Sequence, residues 1–203
     1  MRLHLAALGA VALLAACSKG PAGDAASGQS LSDQAVAVSD VQAPAALPSV
    51  ADSPKPVAGP EFVATAAASD MYEVQAAKIA LKRSHDTEVK NFARMMVADH
   101  TASTARIKQA IAESGQADAL PAPKTLPDAQ TMMLEMLTAA AVVDFDKTYI
   151  AQQLMAHQDA LNLMTGYAKG GDVPTLKTAA SEIAPKVQMH LDHAKLVQTH
   201  LGS

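Results

Sequence analysis

The chain has 203 residues, of which 49% are hydrophobic and only 3% aromatic, with one Cys, no Trp and a formal net charge of −4. The apolar share, much of it alanine, suits packed helices better than sheets, which favour aromatic and β-branched residues. The acidic balance argues against a nucleic-acid partner, and a single Cys excludes an internal disulfide framework or a paired-cysteine zinc site.

In chain order, the first feature is a secretory signal. Arg2 supplies a positive start, an apolar run follows from Leu3 to Leu14, and small residues lead to Cys17. The run is shorter than the roughly 20 residues needed to span a bilayer. Leu14-Ala15-Ala16-Cys17 resembles the bacterial lipobox, so residues 1–16 are expected to be removed and Cys17 acylated. Acylation makes the chain membrane-anchored. By the same resemblance, Ser18 rather than Asp after the Cys implies sorting to the periplasmic face of the outer membrane. From Cys17 to residue 59 the chain is rich in Ala, Pro, Ser and Gly with no hydrophobic period, and reads as a disordered tether.

From residue 60 to 203 the pattern is helical. A first helix is predicted over about 61–84 and a second over about 87–114, closed by Gly115. A proline-bearing loop precedes a third helix over about 128–169, with a break near Ala140 and a stop at Gly170-Gly171. Asp172 as N-cap and Pro174 in the first turn start a fourth helix running to Leu201, with a kink at Pro185. The fold class is therefore all-α, an antiparallel four-helix bundle behind a tether.

Helical projection puts polar residues inside apolar stripes on every helix. Glu73, with Asp70 near the same line, falls among Phe62, Ala66, Ala77 and Ala80. His100 shares a face with Phe92, Met96 and Ile107, with Asp99 at its edge. Asp146 and His157 stand eleven residues apart and differ by about 20° in azimuth; Tyr149 and Gln153 lie on the same stripe. His190 falls among Leu176, Ile183, Val187 and Ala194, with His193 about 60° away. Buried charge is costly unless paired or bound to metal. The inward set admits three explanations: a transition-metal site built from Glu73, His100, Asp146, His157 and His190, a metal-free network in which Asp70, Asp99, Tyr149 and Gln153 take part, or proton transfer or other catalysis. The Glu-x-x-His pairs of carboxylate di-metal bundles are absent, so a metal site here must be imidazole-rich. Met96, Met155 and Met189 stand near these histidines and are read mainly as core fillers.

The segments Phe62-Val63, Ser69-Asp70-Met71-Tyr72-Glu73-Val74, Phe92 to His100, Phe145-Asp146-Lys147-Thr148-Tyr149, His157-Gln158 and His190-Leu191 resemble the family called domain of unknown function 4142. The resemblance covers about residues 60–201 and implies a ferritin-like bundle in bacterial envelope proteins, with no settled activity. Glu73, Asp99, His100, Asp146, His157 and His190 match family-like positions, whereas His193 is an individual addition. The leading expectation is an envelope lipoprotein acting as a non-catalytic binding or stress-related module. The alternatives are a metal-binding or metal-dependent redox protein (iron, copper or zinc) and a structural partner of other envelope components.

Overall fold

The computed structural model describes residues 57–202, so the signal, Cys17 and most of the tether lie outside the described residues. Five α-helices follow one another: α1 (Gly59–Arg83), α2 (Thr87–Ser114), α3 (Asp128–Ala139), α4 (Phe145–Gly170) and α5 (Pro174–Gly202), with a short 3₁₀ turn at Ala117–Ala119. Local chemistry explains the ends. Asp86 caps α2 by accepting from the backbone N–H groups of Glu88 and Val89, and Gly115 closes it in the left-handed conformation at φ 66°. Between α4 and α5 the chain turns around Tyr167, whose hydroxyl donates to Asp172 and accepts from the Val173 N–H. A Cβ at Gly171 would stand 2.5 Å from that ring, so only glycine fits.

The break expected near Ala140 is present: α3 ends at Ala139 and α4 starts at Phe145. The start of the last helix differs from expectation. Asp172 does not cap α5, because the helix begins at Pro174, and its carboxylate instead accepts from Tyr167. Pro185 lies inside the continuous helix α5.

Neighbouring helices are α1 with α2, α2 with α5, α5 with α4, and α4 with α1. Cross-contacts give their directions. Phe62 stacks on Tyr167 while Glu73 meets Gln153, so α1 and α4 run antiparallel. Thr175 reaches the Ala110 carbonyl while Arg106 pairs with Glu182, so α2 and α5 do too. The short α1–α2 and α4–α5 connections make those pairs antiparallel as well. The direction sequence is thus up, down, down, up, and residues 115–144 must return along the bundle before α4 can start. That single long crossover is the ferritin-like connection. Its helix α3 lies against α1 and α4.

The core has two parts. One is centred on Phe62, Val63, Ala66, Ile107, Met164 and Leu176, the other on Tyr72, Phe92, Met96, Tyr149, Ile150 and Ala194. On each helix the interval between the two holds the buried polar residues: Asp70 and Glu73 at its edge on α1, His100 on α2, Gln153 and His157 on α4, and His190 on α5. The polar layer therefore sits mid-bundle, with apolar packing above and below. No helix among the described residues is long and apolar enough to cross a membrane.

Candidate metal centre

Three histidines from three helices meet in this layer. Their ring centroids form a near-equilateral triangle, 5.4 Å for His100–His157, 5.5 Å for His100–His190 and 5.4 Å for His157–His190. None is more than 5% exposed. One nitrogen from each lies within 4.8 Å of the other two.

Hydrogen bonds determine which nitrogens face inward. His100 Nδ1 stands 2.9 Å from Asp70 Oδ1, and Asp70 is itself fixed by Thr104, which donates to its Oδ2. His157 Nδ1 donates to the Gln153 carbonyl at 2.8 Å, one turn back on α4. His190 Nε2 lies 2.8 Å from Asp99 Oδ2, whose other oxygen is 3.5 Å from Lys186 Nζ. An acceptor thus occupies one nitrogen of each ring. What remains is His100 Nε2 and His157 Nε2, facing each other at 3.4 Å, and His190 Nδ1, buried with no hydrogen-bond partner.

Two lone pairs cannot face each other at that distance without a cation between or beside them. Two nitrogens bound to one ion at about 2.0 Å stand roughly 3.3–3.5 Å apart in tetrahedral or trigonal geometry. The observed 3.4 Å matches that spacing. Acceptors that pin the far nitrogen of each ring are the outer-shell support that metal-binding histidines use.

Electrostatics define the metal-free alternative. Burial and the neighbouring imidazoles push His157 down to about 3, against the pull of the Gln153 carbonyl. Burial likewise depresses His190 to about 4, although Asp99 opposes it. His100 moves the other way: burial disfavours its charge, but the Asp70 hydrogen bond and the charges of Glu73, Asp70 and Asp99 together raise it. Protonated on Nε2, His100 would donate to His157 across their 3.4 Å separation, and a proton and a metal ion would compete for that place.

Of the five sequence-proposed ligands, three converge and two stand apart. Glu73 is buried, and its Oε2 accepts from Gln153, while its Oε1 lies 3.7 Å from His157 Nδ1 and has no hydrogen-bond partner. Burial pushes its carboxyl up to about 7, with His100 and Gln153 acting to lower it. It faces the outer nitrogen of His157, so it belongs to the support of the trio. Asp146 shares the azimuth of His157 but not its depth. Eleven residues of helix separate them by about 16 Å along the axis, and Asp146 is only half-buried. Projection down a helix reads direction and is blind to height.

Of the supporting residues, Asp70, Asp99 and Gln153 each hold one histidine, and Tyr149 is buried with its hydroxyl unpartnered. His193 packs edge-on against Phe92, 5.4 Å between centroids, and is not among the converging ligand atoms. The methionines divide: Met96 is core, whereas Met155 and Met189 are 55% and 44% exposed, so those two are not core fillers. Ser103, one turn after His100, escaped sequence reading altogether. Its hydroxyl is buried without a partner and lines a crevice with His100 and His190.

Fold and site together define an all-α bundle protein with a buried trihistidine cluster able to hold a metal ion. The chain belongs to the family described as domain of unknown function (DUF4142), whose model matches residues 43–197. Among solved structures it is similar to CopM in the Cu(I)-bound form, with a TM-score of 0.58 and 18% sequence identity over 71% of this chain and 97% of that one. At that identity the likeness concerns the fold. No curated protein matches.

Proposed function

We propose that this protein binds one copper ion as Cu(I) between His100, His157 and His190, and serves as a copper-handling lipoprotein of the bacterial envelope. The observation that carries this reading is the hydrogen-bond pattern of the three buried rings. Each has one nitrogen committed to an acceptor and one turned toward the other two, with His100 Nε2 and His157 Nε2 only 3.4 Å apart and His190 Nδ1 without any partner. Leaving buried polar atoms unmatched costs about 1–3 kcal/mol each, a cost that ligation of a metal removes. This favours metal binding over the leading expectation of a module acting without one. Imidazole nitrogens suit copper, and the similar fold of CopM carries Cu(I). Acylation at Cys17 and attachment to the outer membrane's periplasmic face belong to the same proposal and rest on the sequence.

When bound, the ion would supply a soft, low-coordinate centre. The chain's own part is to orient the rings through Asp70, Asp99 and the Gln153 carbonyl, and to seat them between two apolar layers. Zinc is the second reading, since three histidines with one further position also suit that ion. The test uses untagged, metal-stripped protein incubated anaerobically with Cu(I), and separately with zinc, iron and manganese, followed by desalting and metal analysis. Retention of one copper per chain, resistant to competing zinc, is expected. Retention of zinc alone would favour the second reading, and no retained metal would leave the hydrogen-bonded network as the role of the layer.

A further inference from the structure

From the crevice beside His190, we infer that the trihistidine centre has an open fourth position that admits a water-sized or diatomic exogenous ligand, with Ser103 as its hydrogen-bonding partner. This inference rests on the metal reading given above.

A crevice of about 20 Å³ reaches the trio from the side of α2 and α5. His100 and His190 line it, together with Ser103, Asp70, Asp99 and Lys186. Roughly 10–15 Å³ suffices for one water, so the space takes one small ligand and excludes larger ones. Asp99 and Lys186, with side chains 22% and 51% exposed, mark where it meets solvent.

Ser103 supplies the independent observation. Helical hydroxyls in this protein usually bond back to their own helix: Thr101 donates to the Val97 carbonyl, Thr138 to Leu134, Thr165 to Leu161 and Thr199 to Lys195. Ser103 makes no such bond, and its Oγ is buried and unpartnered. It shares a face with His100, three residues before it. The one other unpartnered polar atom among the crevice-lining residues is His190 Nδ1, the nitrogen that faces the trio. A ligand seated there would accept from Ser103 while bound at the metal, which satisfies the hydroxyl. Three protein ligands with a vacant fourth position characterise metal sites that engage an exogenous molecule, whereas purely structural sites are closed.

The probe is carbon monoxide added to Cu(I)-loaded protein under anaerobic conditions, read by the infrared C–O stretch, with copper content measured in every sample. Wild-type protein holding one copper should give a single band. Ser103→Ala should shift that band, because the hydrogen bond to the ligand is lost, and Ser103→Val should abolish it by filling the crevice, with copper content unchanged in both. Absence of the band from wild-type protein with one copper bound overturns the inference and leaves the metal reading standing. Persistence of the band in Ser103→Val overturns the placement in this crevice. Should Ser103→Val lose its copper through misfolding, Ser103→Ala decides, and an unshifted band removes Ser103 from the ligand's surroundings. Wild-type protein that retains no copper overturns the metal reading and this inference with it.

Discussion

Two regions of this bundle bury polar groups, and they do so in opposite ways. Where α1 ends, the Arg83 guanidinium donates to the carbonyls of Leu137, Thr138 and Ala140 at 2.7, 2.7 and 2.6 Å. It also lies 4.6 Å from the centre of the Phe145 ring. Every acceptor there is an end-of-helix carbonyl that α3 cannot satisfy internally, so the contact both stops α3 and pins it to α1. In the mid-bundle layer, by contrast, Glu73 Oε1, Gln153 Oε1 and His190 Nδ1 are buried without partners. The matched region is finished as it stands. The unmatched one leaves hydrogen-bonding capacity that the proposed metal ion would use.

Perturbing the two regions should separate binding from folding. The largest effect is expected from His157→Leu, which removes one of three ligands and should weaken Cu(I) binding by more than about 100-fold. The metal-free protein should be no less stable, since apolar packing replaces a fully buried imidazole whose desolvation is costly; competition against a Cu(I) chelator and urea denaturation check both halves. Arg83→Ala is expected to do the reverse. Loss of the charged hydrogen bonds and the ring contact should destabilise the fold by about 2–4 kcal/mol, with copper affinity of the folded form unchanged. Equal effects of both variants on affinity and stability would erase the distinction between the regions.

A smaller effect is expected from Asp70→Asn. The amide can still accept from His100 but no longer offers a charge, and removal of such outer-shell support weakens metal affinity by about 10- to 100-fold while one ion per chain still binds. Smallest is the pH dependence of metal-free stability. His157 and His190, held near 3 and 4 in the folded chain, take up protons on unfolding once the pH falls below the ordinary value of 6.5. Their contribution is complete above that value and is lost as the pH falls toward 4. Glu73, raised to about 7, acts oppositely: its contribution is present below its ordinary 4.5 and lost as the pH rises through 7. Two depressed histidines outweigh one raised acid, so stability measured by denaturation should fall by about 1 kcal/mol per pH unit between 6 and 5.

The legible part of this molecule is what periodicity encodes. Inward placement of His100, His157 and His190 follows from their position in apolar stripes, and the α2 start and end follow from Asp86 and Gly115. Height along a helix is not periodic, which is why Asp146 fell in with His157 on paper although about three turns separate them. The break near Ala140 is legible in the sequence, but what holds it is not: Arg83, more than fifty residues earlier, takes the last carbonyls of α3. Ser103 looked like any small polar residue on a helix. Only the crevice and the absence of a back-bond single it out.

The most direct test of the central claim is X-ray absorption spectroscopy of untagged protein loaded with one equivalent of Cu(I). The expected spectrum shows copper bound by three imidazole nitrogens at about 2.0 Å, lost when His100, His157 and His190 are replaced together. A sulfur-dominated first shell, or an unchanged spectrum in the triple variant, would contradict the account.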